Sequence, residues 1–148
     1  MEGSKKQDIL TMYRRIDELD LQLAKFFAAL NPFALSQQQE QLLLLFKRKD
    51  SWTSTEIART MGISKSAVSQ VLKVLEERTF IKRQKNPANL RESFIHLDTN
   101  GVAYLRTMDE IEEQLAEEMT TILDEMELDI INRSLVRMID RFQELHRS

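Results

Sequence analysis

The side chains with the clearest chemistry lie between positions 54 and 91. Lys65, Ser66, Ser69, Gln70 and Lys73 are spaced so that one face of a helix carries all five, and no acid interrupts that face before Glu76 and Glu77. Two cations, two hydroxyls and an amide suit hydrogen bonds to phosphate oxygens and to base edges in a major groove. A merely solvated helix face more often mixes Glu among its lysines. Ser54 opens the preceding helical segment, and Lys85, Asn89 and Arg91 surround a loop farther on. An arginine near a loop tip suits a minor groove, where a narrow A·T tract concentrates negative potential. Lys82, Arg83 and Lys85 would then hold flanking phosphates.

Charge is distributed to match. The 148 residues carry 21 Lys+Arg against 24 Asp+Glu, a net −3. From Ser51 to His96 there are eight bases and four acids, whereas from Asp98 to Ile130 there are eleven acids and one base, Arg106. Such asymmetry points to one part of the molecule meeting an anion. The absence of cysteine excludes disulfides, thiolate metal sites and thiol redox sensing. His96 is expected to point outward from a strand and His146 to lie in the tail, so no metal site and no cofactor are expected. No phosphate loop or nucleophile elbow is present, and the carboxylates from Asp109 to Glu118 suit a solvated helix face better than paired acid–base work, so no enzyme is expected. No apolar run follows Met1-Glu2-Gly3-Ser4-Lys5-Lys6 and no stretch approaches 18 uncharged apolar residues. The expectation is therefore a cytoplasmic chain with no membrane contact.

The elements that must position these groups follow from periodicity. Ile9, Met12, Ile16, Leu19, Leu23, Phe26 and Leu30 recur in steps of 3 and 4, a helix with a heptad seam that Asn31-Pro32 ends. Ser36 with Gln39 forms a capping box that opens an apolar core helix through Phe46, and Thr53 with Glu56 forms a second, flanked by Trp52 and Ile57 at the staple positions. The helix it opens runs from Ser54 to Met61 and stops at Gly62. Ser64 caps the next, which runs to about Arg78 and buries Val68, Val71, Leu72 and Leu75. Strands are expected over Phe80–Lys85 and Glu92–Leu97, joined by a loop over Asn86–Arg91. A long helix from about Gly101 carries Leu105, Met108, Ile111, Leu115, Met119, Ile122 and Met126. With Asp124 as a cap, a last helix carries Leu128, Ile131, Leu135, Met138, Phe142 and Leu145.

Ala58, Gly62 and Val68 have helix-turn-helix spacing: a small residue for close approach, a glycine for the turn and a branched residue to lock the second helix. A β-hairpin directly after it makes a wing. The fold expected is mainly α with a small β-hairpin wing, a winged helix-turn-helix over 35–97 with helical dimerisation regions at 1–34 and 98–148. The seams at Ile9, Met12 and Ile16 and at Leu128, Ile131, Leu135, Phe142 and Leu145 are the candidate dimer contacts. A two-fold dimer sets the two recognition helices, those that Ser64 caps, about one DNA turn, roughly 34 Å, apart.

The order helix, helix, helix-turn-helix, wing, long helix, helix, with the string from Thr53 to Arg78, resembles the MarR (multiple antibiotic resistance regulator) family. The likeness covers nearly the whole chain and is strongest from Thr53 to Gly101. It implies a homodimeric winged-helix transcription factor of a bacterial operon that binds a pseudo-palindromic operator in double-stranded DNA, acts as a repressor and is released by a small-molecule effector. The candidate DNA contacts are Ser54, Lys65, Ser66, Ser69, Gln70, Lys73, Lys85, Asn89 and Arg91. Aromatic residues Tyr13, Phe26, Phe27, Phe33, Phe46 and Tyr104 fit a core better than an effector pocket. Three positions depart from the family pattern: Asn89 stands where an acid precedes the wing arginine, Thr79 where a glycine follows the second helix, and Asp98 where leucine is usual. The alternative is a winged-helix module that binds protein and not DNA.

Overall fold

A computed structural model describes residues 1–147. Its elements are α1 (Glu2–Leu30), α2 (Gln37–Leu44) with a 3₁₀ turn (Leu45–Lys47), α3 (Ser54–Met61), α4 (Lys65–Glu77), β1 (Ile81–Asn86), β2 (Asn89–Leu97), α5 (Thr99–Thr120) and α6 (Glu125–Arg147). The chain divides into two compact units, one from Met1 to Ile111 and one from Glu112 onward.

The first unit is built around one apolar cluster. Leu42, Leu43, Ile57, Val68, Leu72, Leu75, Ile81, Ile95 and Tyr104 are shut from solvent, and Phe46, Trp52, Phe80, Met108 and Ile111 complete the core. Each fully buried aliphatic side chain contributes about 1.5–3 kcal/mol. Both capping boxes form. Ser36 Oγ accepts from Gln39 N–H at 3.2 Å and Gln39 Oε1 accepts from Ser36 N–H at 2.9 Å. Thr53 and Glu56 repeat the exchange at 3.2 and 3.1 Å. Each pair satisfies amides that the first turn of a helix leaves open.

Of the aromatics weighed as cavity lining, Phe46 and Tyr104 are core residues, and Phe26, Phe27 and Phe33 pack on the core. Phe33 meets Phe80 and Tyr104 edge-on, with ring centres 5.8 and 5.6 Å apart. Tyr13 alone is exposed. The Tyr104 hydroxyl donates to Glu40 Oε1 at 3.2 Å, and the same oxygen accepts from Asn31 Nδ2 at 2.7 Å. Burial, with the Glu40 charge beside it, pushes the Tyr104 hydroxyl well above its ordinary pKa, so it stays protonated and remains a donor.

Two boundaries differ from the sequence expectation. The hairpin turn is only Pro87-Ala88, so β2 starts at Asn89 and Arg91 lies within a strand instead of a loop. Asn86 supplies the reason: its Oδ1 accepts from Ala88 N–H at 3.0 Å and closes the turn early. The long helix ends at Thr120, so Ile122 and Met126 are not on it, and Met126 belongs to α6. Thr120 and Thr121 turn their hydroxyls onto the carbonyls of Glu117 and Glu118, at 2.7 and 2.6 Å. Such local bonds compete with the helix and favour its end. Within the second unit Asp124 caps α6 as expected, exchanging bonds of 2.8 and 2.9 Å with Glu127.

Candidate nucleic-acid interface

The turn between α3 and α4 is set by Gly62, at φ 67° and ψ 33°. That left-handed conformation strains a residue with a Cβ and is free to glycine. Gly62 N–H and Ile63 N–H both donate to Ala58 O. Ala58 is buried, and Val68 sits wholly in the core below it. The three residues singled out by spacing thus do the three jobs expected of them. Ser64 Oγ then accepts from Ala67 N–H at 3.1 Å and starts α4.

With Val68, Val71, Leu72 and Leu75 buried, the opposite side of α4 faces solvent. Lys65, Ser66, Ser69, Gln70 and Lys73 are all exposed there, and among the described residues neither lysine is in an ion pair. No acid shares that face until the last turn. There Glu76 is held by Arg83, whose Nε donates to its carboxylate. The hairpin folds Arg83, one of the cations expected to hold phosphates, against the end of α4, where its side chain remains 36% exposed. Lys82 is exposed. It lines a shallow groove with Leu97, Asp98, Thr99, Val102 and Arg106, beside the first turn of α5. Lys85 remains exposed and in no ion pair among the described residues.

The wing is tied to the first helix of the motif by its backbone. Trp52 N–H donates to Ile95 O at 3.1 Å and Ile95 N–H to Trp52 O at 2.7 Å, which makes Trp52 a one-residue third strand. The next residue is the N-cap of α3. Thr53, Ser54 and Thr55 therefore share a cleft of about 220 Å³ with Asn89, Arg91, Glu92 and Ser93. Ser54, Asn89 and Arg91, far apart in sequence, are brought together here. Thr55 and Ser93 were not anticipated. Their only sequence signal was a hydroxyl at a helix start and at a strand position. Asn89 is exposed, and its Oδ1 accepts from Arg91 N–H at 3.2 Å. The Arg91 guanidinium stays exposed and in no ion pair among the described residues.

The N-cap region carries its own electrostatics. Lys49 Nζ lies 4.3 Å from the Trp52 ring centre and 2.8 Å from Glu56 Oε2. Lys49, and next the Thr53 N–H, hold the Glu56 carboxyl below its usual pKa.

Thr79 has φ 63°, the conformation for which glycine is the usual choice. Its N–H donates to Glu76 O at 3.1 Å and Phe80 N–H to Leu75 O at 2.8 Å, a Schellman end to α4. Gly101 was expected only as a helix start, but a Cβ there would lie 2.1 Å from Phe80 O. Arg78, counted among the basic residues, spends its guanidinium on Ala34 O at 2.7 Å and on the Phe80 ring.

The candidate dimer residues Ile9, Met12, Ile16, Leu128, Ile131, Leu135, Phe142 and Leu145 are all 37 to 50% exposed, and neither α1 nor α6 has a buried residue. No group of three His, Cys, Asp or Glu among the described residues is placed to hold a metal ion. No helix among them is long and apolar enough to cross a membrane.

Residues 35–93, which span this motif and most of its wing, match the model of the MarR family. The segment over residues 35–93 is a MarR-family domain. The MarR-family proteins that this segment resembles are transcriptional regulators. Over 107 residues the chain is 29% identical to the HTH-type transcriptional regulator TcaR of Staphylococcus aureus, a match covering 71% of this chain and 70% of TcaR. Two solved structures share the fold. Streptococcus pneumoniae FabT, in complex with DNA, is 16% identical and superposes with a TM-score of 0.75 over 90% of this chain and 99% of its own. A mutant MarR from E. coli, complexed with operator DNA, is 20% identical, with a TM-score of 0.67 over 88% and 95%.

Proposed function

We propose that this chain is a homodimeric repressor that binds a pseudo-palindromic operator in double-stranded DNA. The observation that carries the reading is the outer face of α4: five exposed polar side chains, two of them lysines in no ion pair among the described residues, with no acid among them. α4 enters the major groove. Ser66, Ser69 and Gln70 meet base edges, Lys65, Lys73 and Lys85 meet phosphates, and Ser54 meets the backbone beside the wing. Arg91 enters the flanking minor groove, held by Asn89. The likeness to proteins solved with DNA supports this reading.

The regions 1–34 and 98–148 serve dimerisation. Their exposed seams need a partner surface, and a second copy supplies one by two-fold symmetry. The repressor acts in the cytoplasm and is released by a small-molecule effector. The test is titration of operator DNA with Lys73→Ala and Arg91→Ala. Each is expected to weaken binding about tenfold and to lower the salt slope by about one. Unchanged affinity in both variants contradicts the reading.

The eleven acids from Asp98 to Ile130 favour a second reading, a winged-helix module for a protein partner. It calls for no retardation of DNA even at low salt.

A further inference from the structure

Leu90, at the tip of the wing, has no task inside the chain. It is 79% exposed, more than any other large apolar side chain among the described residues except Met1. A lone exposed leucine on a surface is ordinary. This one differs in how its backbone is held. The residues before it form a two-residue turn that Asn86 closes through Ala88 N–H at 3.0 Å. Asn89 and Arg91, on either side of it, are joined by the bond from Arg91 N–H to Asn89 Oδ1 at 3.2 Å. Leu90 is therefore presented on a fixed backbone, so little conformational entropy is lost when it is buried. Leu90 and Arg91 lie where the hairpin register is broken: Lys85 pairs with Ser93 and Asn86 with Asn89, so residues 90–92 have no ladder partner on β1. The tip thus carries an exposed cation next to an exposed apolar side chain.

We infer that Leu90 packs against the deoxyribose wall of the minor groove that Arg91 enters, and so sets how deeply and where the wing docks. The inference rests on the DNA-binding reading above. The groove is about 6 Å wide, its walls are sugar C–H groups, and apolar side chains are used in such grooves as wedges. Arg91 gives the attraction, which is electrostatic. Leu90 gives a contact that is insensitive to salt.

That difference is the test. Affinity for a selected inverted repeat is measured from about 50 to 200 mM salt for the wild type, Leu90→Ala, Leu90→Met and Arg91→Ala. Leu90 is exposed, so its substitution leaves the fold intact, and circular dichroism checks this. Leu90→Ala is expected to bind about five- to tenfold more weakly at every salt concentration, with an unchanged salt slope. Leu90→Met keeps the apolar bulk and binds close to wild type. Arg91→Ala flattens the slope. A wild type that binds the repeat with a Leu90→Ala variant equal to it overturns the inference and leaves the DNA reading standing. A wild type that enriches no repeat overturns both.

Discussion

The segment from α2 to β2 and the terminal helices α1 and α6 use the same apolar alphabet to different ends. In the first, leucine and valine at helical spacing are shut from solvent: Leu42, Leu43, Val68, Leu72 and Leu75 lose nearly all their exposure within one chain. In α1 and α6, Ile9, Ile16, Leu19, Ile131, Leu135 and Leu145 at the same spacing stay more than a third exposed, and neither helix has a fully buried residue. Periodicity therefore reports that a face is apolar, not what covers it. The first region closes its core with Tyr104, Met108 and Ile111 of α5. Exposed apolar seams carry a cost, which the proposed partner copy would remove.

The sharpest contrast should come from matched truncations. Leu72→Ala empties a fully buried site in α4 and is expected to cost about 2–5 kcal/mol relative to wild type, a loss that is the same at every protein concentration. Leu135→Ala on α6 should leave this core intact and lower the apparent stability only through the dimer. Its effect should shrink as the protein is diluted towards the monomer. Equal, concentration-independent losses in chemical denaturation would break the distinction.

Next in size is Gly101→Ala. The new methyl would lie 2.1 Å from the Phe80 carbonyl oxygen, and backbone cannot yield as a side-chain tip can, so a loss of about 3 kcal/mol is expected. Thr79→Gly works in the opposite direction. At φ 63° it relieves a left-handed strain and should raise stability by about 0.5–1 kcal/mol in thermal unfolding, with the Schellman bonds kept.

The smallest effect expected is a pH dependence. The Glu56 carboxyl is held below its ordinary value of 4.5 in the folded chain, first by Lys49 and then by the Thr53 N–H. Its contribution is present above the unfolded pKa and is lost as pH falls through the folded one. The carboxylate is 42% exposed, so solvent screening keeps this below about 1 kcal/mol. Glu56→Gln should flatten the stability profile below pH 4.5 while leaving the slope above it unchanged.

The parts of the fold legible in the sequence were those governed by residues within about four positions of each other. The two capping boxes, the Gly62 turn and the buried face of α4 are of this kind. Asn86 shortened the wing loop by a bond to Ala88 that loop composition alone did not reveal. At the site, the exposed face of α4 was readable from spacing, but the fate of each cation was not. Arg83 and Arg78 are drawn to Glu76 and Ala34 by packing between distant segments. The cleft that joins Ser54 to Arg91 depends on the backbone pairing of Trp52 with Ile95, 43 positions apart, for which the sequence carries no signal.

The most direct measurement is selection of bound duplexes from a random pool by the purified chain at roughly 100 mM salt, with its oligomeric state recorded in parallel. An enriched inverted repeat with half-site centres about 10 bp apart, bound by a dimer, is the expected result. A confirmed dimer that enriches no repeat and retards no DNA at low salt would contradict the assignment of the α4 face to DNA.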